Sequence, residues 1–100
     1  MKGRKFMNTI TGTNLITINA LAGETYCIQY ESDYSVNILN QTDGIISASP
    51  KASYDENEFS SECMKLTEDA FYYDFRSKQD KNLYITSEGN GYVSVIRSDR

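Results

Sequence analysis

Residues 25–49 read TYCIQYESDYSVNILNQTDGIISAS, and this stretch decides the fold class. Tyr26, Ile28 and Tyr30 alternate with Thr25, Cys27 and Gln29. Successive side chains of a strand point to opposite faces, so this period of two predicts a strand with one buried face over Thr25–Glu31. Ser32-Asp33 turns the chain, and Tyr34, Val36 and Ile38 resume the alternation through Asn40. Thr42-Asp43-Gly44 holds an Asp-Gly pair, a hairpin signal because both residues tolerate positive φ. Ile45–Ser49 then forms a further short strand.

The same pattern extends outward in both directions. Asn14–Asn19 places Ile16 and Ile18 on one face, and Ala22-Gly23-Glu24 turns the chain towards Thr25. Cys63–Thr67 offers Met64 and Leu66. Phe71–Arg76 sets Phe71, Tyr73 and Phe75 against Tyr72, Asp74 and Arg76. Leu83–Thr86 and Tyr92–Arg97 complete the set around the turn Glu88-Gly89-Asn90-Gly91. The expected fold is all-β: one antiparallel β-sandwich of seven or eight strands, jelly-roll or immunoglobulin-like, over residues 14–100. Residues 1–13 read as an extended N-terminal arm. Ser60–Tyr72 fits a helical stripe only in part, and a strand is the preferred reading. The predicted core holds Ile16, Ile18, Ile28, Val36, Ile38, Leu66, Phe71, Phe75, Leu83, Ile85, Val93 and Val95.

Composition narrows the chemistry. The chain has 100 residues and neither histidine nor tryptophan. Without histidine the commonest general base and a frequent metal ligand are missing. Cys27 and Cys63 therefore have no histidine to activate them, and two cysteines do not make a zinc site. Both are expected as free thiols. Ser60-Ser61 lacks a glycine elbow, and no glycine-rich segment precedes a helix to cradle phosphate. Asp55, Glu56, Glu58 and Glu62 crowd one polar loop without apolar flanks to raise a carboxyl pKa. Asp55 and Asn57 open like a calcium loop, but Phe59 and Ser60 occupy positions where an oxygen ligand and a glycine belong. No catalytic residue, metal or cofactor is expected, and the chain is read as a non-enzyme. The sequon Asn40-Gln41-Thr42 is expected to carry no sugar.

Charge is unevenly spread within a net −4. Residues 1–23 carry Lys2, Arg4 and Lys5 and no acid, whereas residues 24–74 set many acids against Lys51 and Lys65. Three bases on an acidic body make too small a footprint for nucleic acid. The apolar runs are too short to span a bilayer, and Asn8, Thr9, Thr11 and Asn14 interrupt any signal-peptide core. Eight tyrosines supply flat apolar faces with polar tips, suited to interfaces.

Leu83–Arg97 resembles the closing hairpin of small β-sandwich virion proteins of tailed phages, among them capsid decoration proteins and small head- or tail-fibre domains. Asn19–Tyr26 is similar to their glycine turn entering a Thr-Tyr strand. The resemblance implies a structural protein of a phage virion, assembled in the host cytoplasm and located in the virion. Its partners would be the major capsid protein or another virion protein, and further copies of itself in a homo-oligomer. In this reading Lys2, Arg4, Lys5 and Phe6 on the arm, with Tyr54 and Phe59 in the acidic loop, engage the partner. The alternative is a carbohydrate-binding or adhesin module, with Tyr72 and Tyr84 stacking on sugar rings.

Overall fold

The computed structural model describes residues 8–31, 34–50, 64–77 and 81–98. Nine strands occur among them: β1 (Asn8–Thr11), β2 (Leu15–Ala20), β3 (Thr25–Gln29), β4 (Tyr34–Thr42), β5 (Ile46–Ser49), β6 (Met64–Leu66), β7 (Phe71–Ser77), β8 (Asn82–Ser87) and β9 (Gly91–Arg97). All eight expected strands are present, each within two residues of its sequence-read bounds. Residues 64–72, where a helix was the lesser alternative, are strand and turn.

Two sheets pack against each other, in the orders β1-β3-β8-β5-β6 and β2-β9-β4-β7. The pairing is nested. β2 pairs with β9, β3 with β8, β4 with β7 and β5 with β6, all antiparallel. The chain is thus one long ribbon of paired strands, folded so that successive pairs fall in alternate sheets. That strand order is a jelly roll rather than an immunoglobulin sandwich, which settles the choice left by periodicity. Within the segment read as an arm, Asn8–Thr11 form β1, parallel to β3 with Ile10 opposite Ile28. Among the described residues the sheet thus already includes Asn8–Thr11, and Ile10 packs against the core.

The core lies between the sheets. Ile16, Ile18, Ile28, Val36, Ile38, Leu66, Phe75, Leu83, Ile85, Val93 and Val95 are buried, as are Ile46, Tyr26, Tyr30 and Tyr34. Four turns close one end: residues 21–24, 43–45, 67–70 and 88–90. There Asn90 N donates to Asp43 Oδ1 at 2.8 Å, and Ala22 N donates to Asn90 Oδ1 at 2.9 Å. Gly44 and Gly89 meet backbone to backbone, so closely that a Cβ on either would collide with the other turn.

Asn40 ties this end together from inside. Its Nδ2 donates to Gly44 O and Leu66 O, both at 2.9 Å, linking the β4–β5 turn to β6. Its Oδ1 accepts from Thr42 N at 2.9 Å and Thr42 Oγ1 at 2.7 Å. A buried amide is tolerable only when satisfied in this way. The sequon asparagine is thus fully buried, with both amide hydrogens committed to the fold.

Candidate interaction surface

The β7 strand breaks the simple alternation and in doing so builds the surface. Val36 opposes Phe75, and Ile38 opposes Tyr72, so two residues of β7, Tyr73 and Asp74, face the single Asn37. This is a β-bulge. Asp74 takes φ 67°, in the left-handed region that Asp and Asn tolerate better than most residues. Neighbouring side chains hold it there. Asp74 N donates to Asn37 Oδ1 at 2.9 Å, and Ser35 Oγ donates to Asp74 Oδ1 at 2.6 Å. The Arg76 guanidinium completes the arrangement with a 2.9 Å ion pair to Asp74 Oδ2. That hydrogen-bonded ion pair pushes the Arg76 pKa further above its already high ordinary value.

The extra residue shifts the inside-outside phase of half the strand. Phe75 points into the core, whereas Phe71 and Tyr73 turn outward, 48% and 72% exposed. Their rings touch, with centroids 5.7 Å apart. This corrects the expectation that Phe71 and Tyr73 share a buried face with Phe75. It also corrects Tyr72, which was expected to face away from that side. Tyr72 lies opposite Ile38 on the inner side of the sheet at its edge, its ring edge-on to Phe75 at 6.0 Å, yet it remains exposed there at 37%.

Phe71 and Tyr73 belong to a larger outer face on β2-β9-β4-β7. Register aligns Leu15 with Ile96 and Ile96 with Asn37, which the bulge faces in turn. A second row aligns Thr17, Ser94, Leu39 and Phe71. A third aligns Asn19, Tyr92 and Gln41. Leu15, Tyr92 and Ile96 are exposed, at 63%, 53% and 38%. Among the described residues, the only charges on this face are Asp74 and Arg76, paired with each other.

The outer face of the other sheet differs in kind. Its outward-pointing residues are Thr25, Cys27, Gln29, Ser47, Ser49, Lys65, Tyr84 and Thr86, of which Cys27, Ser47 and Ser49 are buried, and Thr25 and Thr86 share a 3.0 Å hydroxyl hydrogen bond. Cys27 is a free, buried thiol. Burial pushes its pKa up, and a hydrogen bond with Tyr84 offsets this only in part. A thiol held neutral is a poor nucleophile. Tyr84 is half-buried, and its hydroxyl accepts from Asn82 Nδ2 at 3.3 Å. Tyr72 and Tyr84 therefore lie on different sheets, one inward and one outward, and do not form one stacking platform.

A chain of rings lines the core below the bulge. Tyr72 meets Phe75, Phe75 meets Tyr34 at 6.4 Å, and Tyr34 meets Tyr30 at 5.0 Å. The Arg97 guanidinium caps it, 5.5 Å over the Tyr30 ring. Tyr30 Oη is buried without a hydrogen-bond partner, and burial pushes its pKa up to about 12, with Arg97 pulling less strongly downward.

Lys2, Arg4, Lys5, Phe6, Tyr54 and Phe59, the residues expected to engage a partner, lie outside the described residues, as do Asp55, Asn57 and Cys63. Among the described residues, no cluster of three or more His, Cys, Asp or Glu side chains could hold a metal ion. No protein-family model, curated protein or solved structure matches the chain.

Proposed function

We propose that this chain is a non-enzymatic structural protein of a phage virion, decorating or cementing the capsid by protein–protein contact. The observation that carries the reading is the outer face of β2-β9-β4-β7, where Leu15, Ile96, Tyr92, Phe71 and Tyr73 stand exposed among neutral polar residues, set on a jelly roll whose turn end is tightly cross-linked. Large exposed apolar patches are uncommon on monomers and mark contact surfaces. Exposed aromatic residues are favoured as contact anchors because they offer much area for little lost rotamer freedom. Jelly rolls serve repeatedly as capsid domains. The resemblance of Leu83–Arg97 to virion β-sandwich proteins points the same way. Co-purification with intact particles tests this. The protein should sediment with particles, and substitutions on this face that weaken assembly should reduce its retention there; complete absence from purified particles contradicts it.

One observation favours a second reading. The exposed Tyr73 ring stands beside Asn37 and Asp74, a combination able to stack on a sugar and bind its hydroxyls. A carbohydrate-binding module of this kind would use Tyr73 rather than the Tyr72 and Tyr84 pair. Saturable binding of an oligosaccharide, lost in Tyr73→Ala, would support it over the virion reading.

A further inference from the structure

We infer that the outer face of β2-β9-β4-β7 is a self-association surface, and that two copies of this chain pack through it face to face about a two-fold axis. The inference rests on reading this face as a protein-contact surface. It goes further by naming the occupant.

Area is the first argument. Three aromatic and two aliphatic side chains, Phe71, Tyr73, Tyr92, Leu15 and Ile96, expose between 38% and 72% of their surface here. At the usual size of such side chains this is on the order of 500 Å² of apolar surface. A standard stable interface needs about 800 Å² from each partner, of which a little over half is apolar. Thr17, Asn19, Ser94, Leu39, Gln41 and Asn37 lie in the same rows and supply the remainder. The face thus has both the size and the mix of one half of a dimer interface.

Charge is the second argument. The chain carries a net −4, so most pairs of its surfaces would repel. Among the described residues this face is an exception, because its only charges, Asp74 and Arg76, neutralise one another within 2.9 Å. Two copies can meet here without like charges opposing, which an isologous contact requires of any surface that must fit itself. Shape is the third. Sheets stack readily about 10 Å apart with strands roughly 30° from parallel, so a side-chain layer like this one suits a second sheet.

Sedimentation equilibrium on the full chain tests the inference. Wild type should dimerise with micromolar dissociation, little affected by high salt. Tyr73→Glu and Ile96→Lys each place two like charges in the two-fold contact and should weaken the dimer at least about tenfold. Both positions are exposed, so circular dichroism should be unchanged, as should melting measured at concentrations where wild type is monomeric. Gln29→Glu, on the other sheet's outer face, should leave the dimer intact. A wild type that stays monomeric, or a dimer that both face variants leave intact, overturns the inference. Dimers that never associate with particles would keep it and refute the virion reading. Particle-bound monomers would do the reverse.

Discussion

The two sheets enclose one core, yet they present different chemistry to solvent. Of the β1-β3-β8-β5-β6 sheet's outer residues, Gln29 and Lys65 are exposed, Thr25, Thr86 and Tyr84 are half-buried, and Cys27, Ser47 and Ser49 are buried. The β2-β9-β4-β7 sheet shows Leu15, Ile96, Tyr92, Phe71 and Tyr73. Both have a buried inner face, so the difference does not come from folding demands. A side chain left exposed contributes little to stability, and a large apolar one is retained on a surface for what it touches outside the fold. The contact surface we propose is therefore the outer face of the second sheet. The bulge at Tyr73–Asp74 concentrates the apolar surface at one corner, where it turns outward two rings that simple alternation would bury.

The sharpest way to break this contrast is to exchange inside for outside on β7. Phe75→Ala should cost about 3–5 kcal/mol, because it opens a cavity beside Tyr34 and Tyr72. Tyr73→Ala should cost less than about 1 kcal/mol in the isolated domain, since its ring lies largely in water, and Phe71→Ala about 1 kcal/mol, since it is half-exposed. Denaturant titrations would check this. Equal losses at Phe71 and Phe75 would mean that the bulge is misplaced and the apolar face does not exist.

The next effect concerns the frame that holds both faces. Asn40→Ala strips partners from Leu66 O, Gly44 O and Thr42 N in a buried site. A loss of roughly 2–4 kcal/mol is expected from several unmet hydrogen bonds. Asn40→Asp should not rescue it, because a carboxylate cannot donate to two carbonyls. A thermal melt indistinguishable from wild type for Asn40→Ala would show that the turns hold the sheets together without it.

The smallest effect is at Tyr30. Its hydroxyl has no partner, so Tyr30→Phe should be neutral or stabilise by up to about 1 kcal/mol at pH 7. The fold favours the protonated phenol, whose pKa rises from an ordinary 10.0 to about 12. Its contribution is complete below pH 10 and is lost as pH climbs through 12. Wild-type stability should thus fall more steeply than that of Tyr30→Phe between these values, as urea midpoints measured across that range would register. Parallel pH profiles would place the Tyr30 hydroxyl in water.

Much of the fold was legible in sequence because strands with one buried face must alternate. Strand order was not, since a period of two names a face and never a partner; the nested pairing emerges only from long-range register. The bulge was hidden for a different reason. Residues 71–75, FYYDF, are aromatic at four of five positions, so no polar contrast marks where the phase slips. Asp74, a residue that accepts positive φ, is the one local signal. The apolar face could have been suspected from β9, where Tyr92 and Ile96 oppose Val93 and Val95. A strand that is apolar on both sides needs cover on both. Lys2, Arg4, Lys5 and Phe6 on the arm and Tyr54 and Phe59 in the acidic loop carried the sequence-based expectation of partner contact, and none of these is among the described residues.

Tyrosine footprinting tests the central claim most directly, by oxidative labelling with a mass-spectrometric readout per residue. Among the described tyrosines of dilute protein, Tyr73 should react fastest and Tyr92 next, while Tyr26, Tyr30 and Tyr34 stay protected. At concentrations where copies associate, or with particles added, Tyr73 and Tyr92 should become protected and Tyr84 should not change. Tyr73 already protected in the dilute monomer would contradict the outward turn of β7. Tyr73 and Tyr92 equally reactive in every complex would contradict the assignment of function to this face.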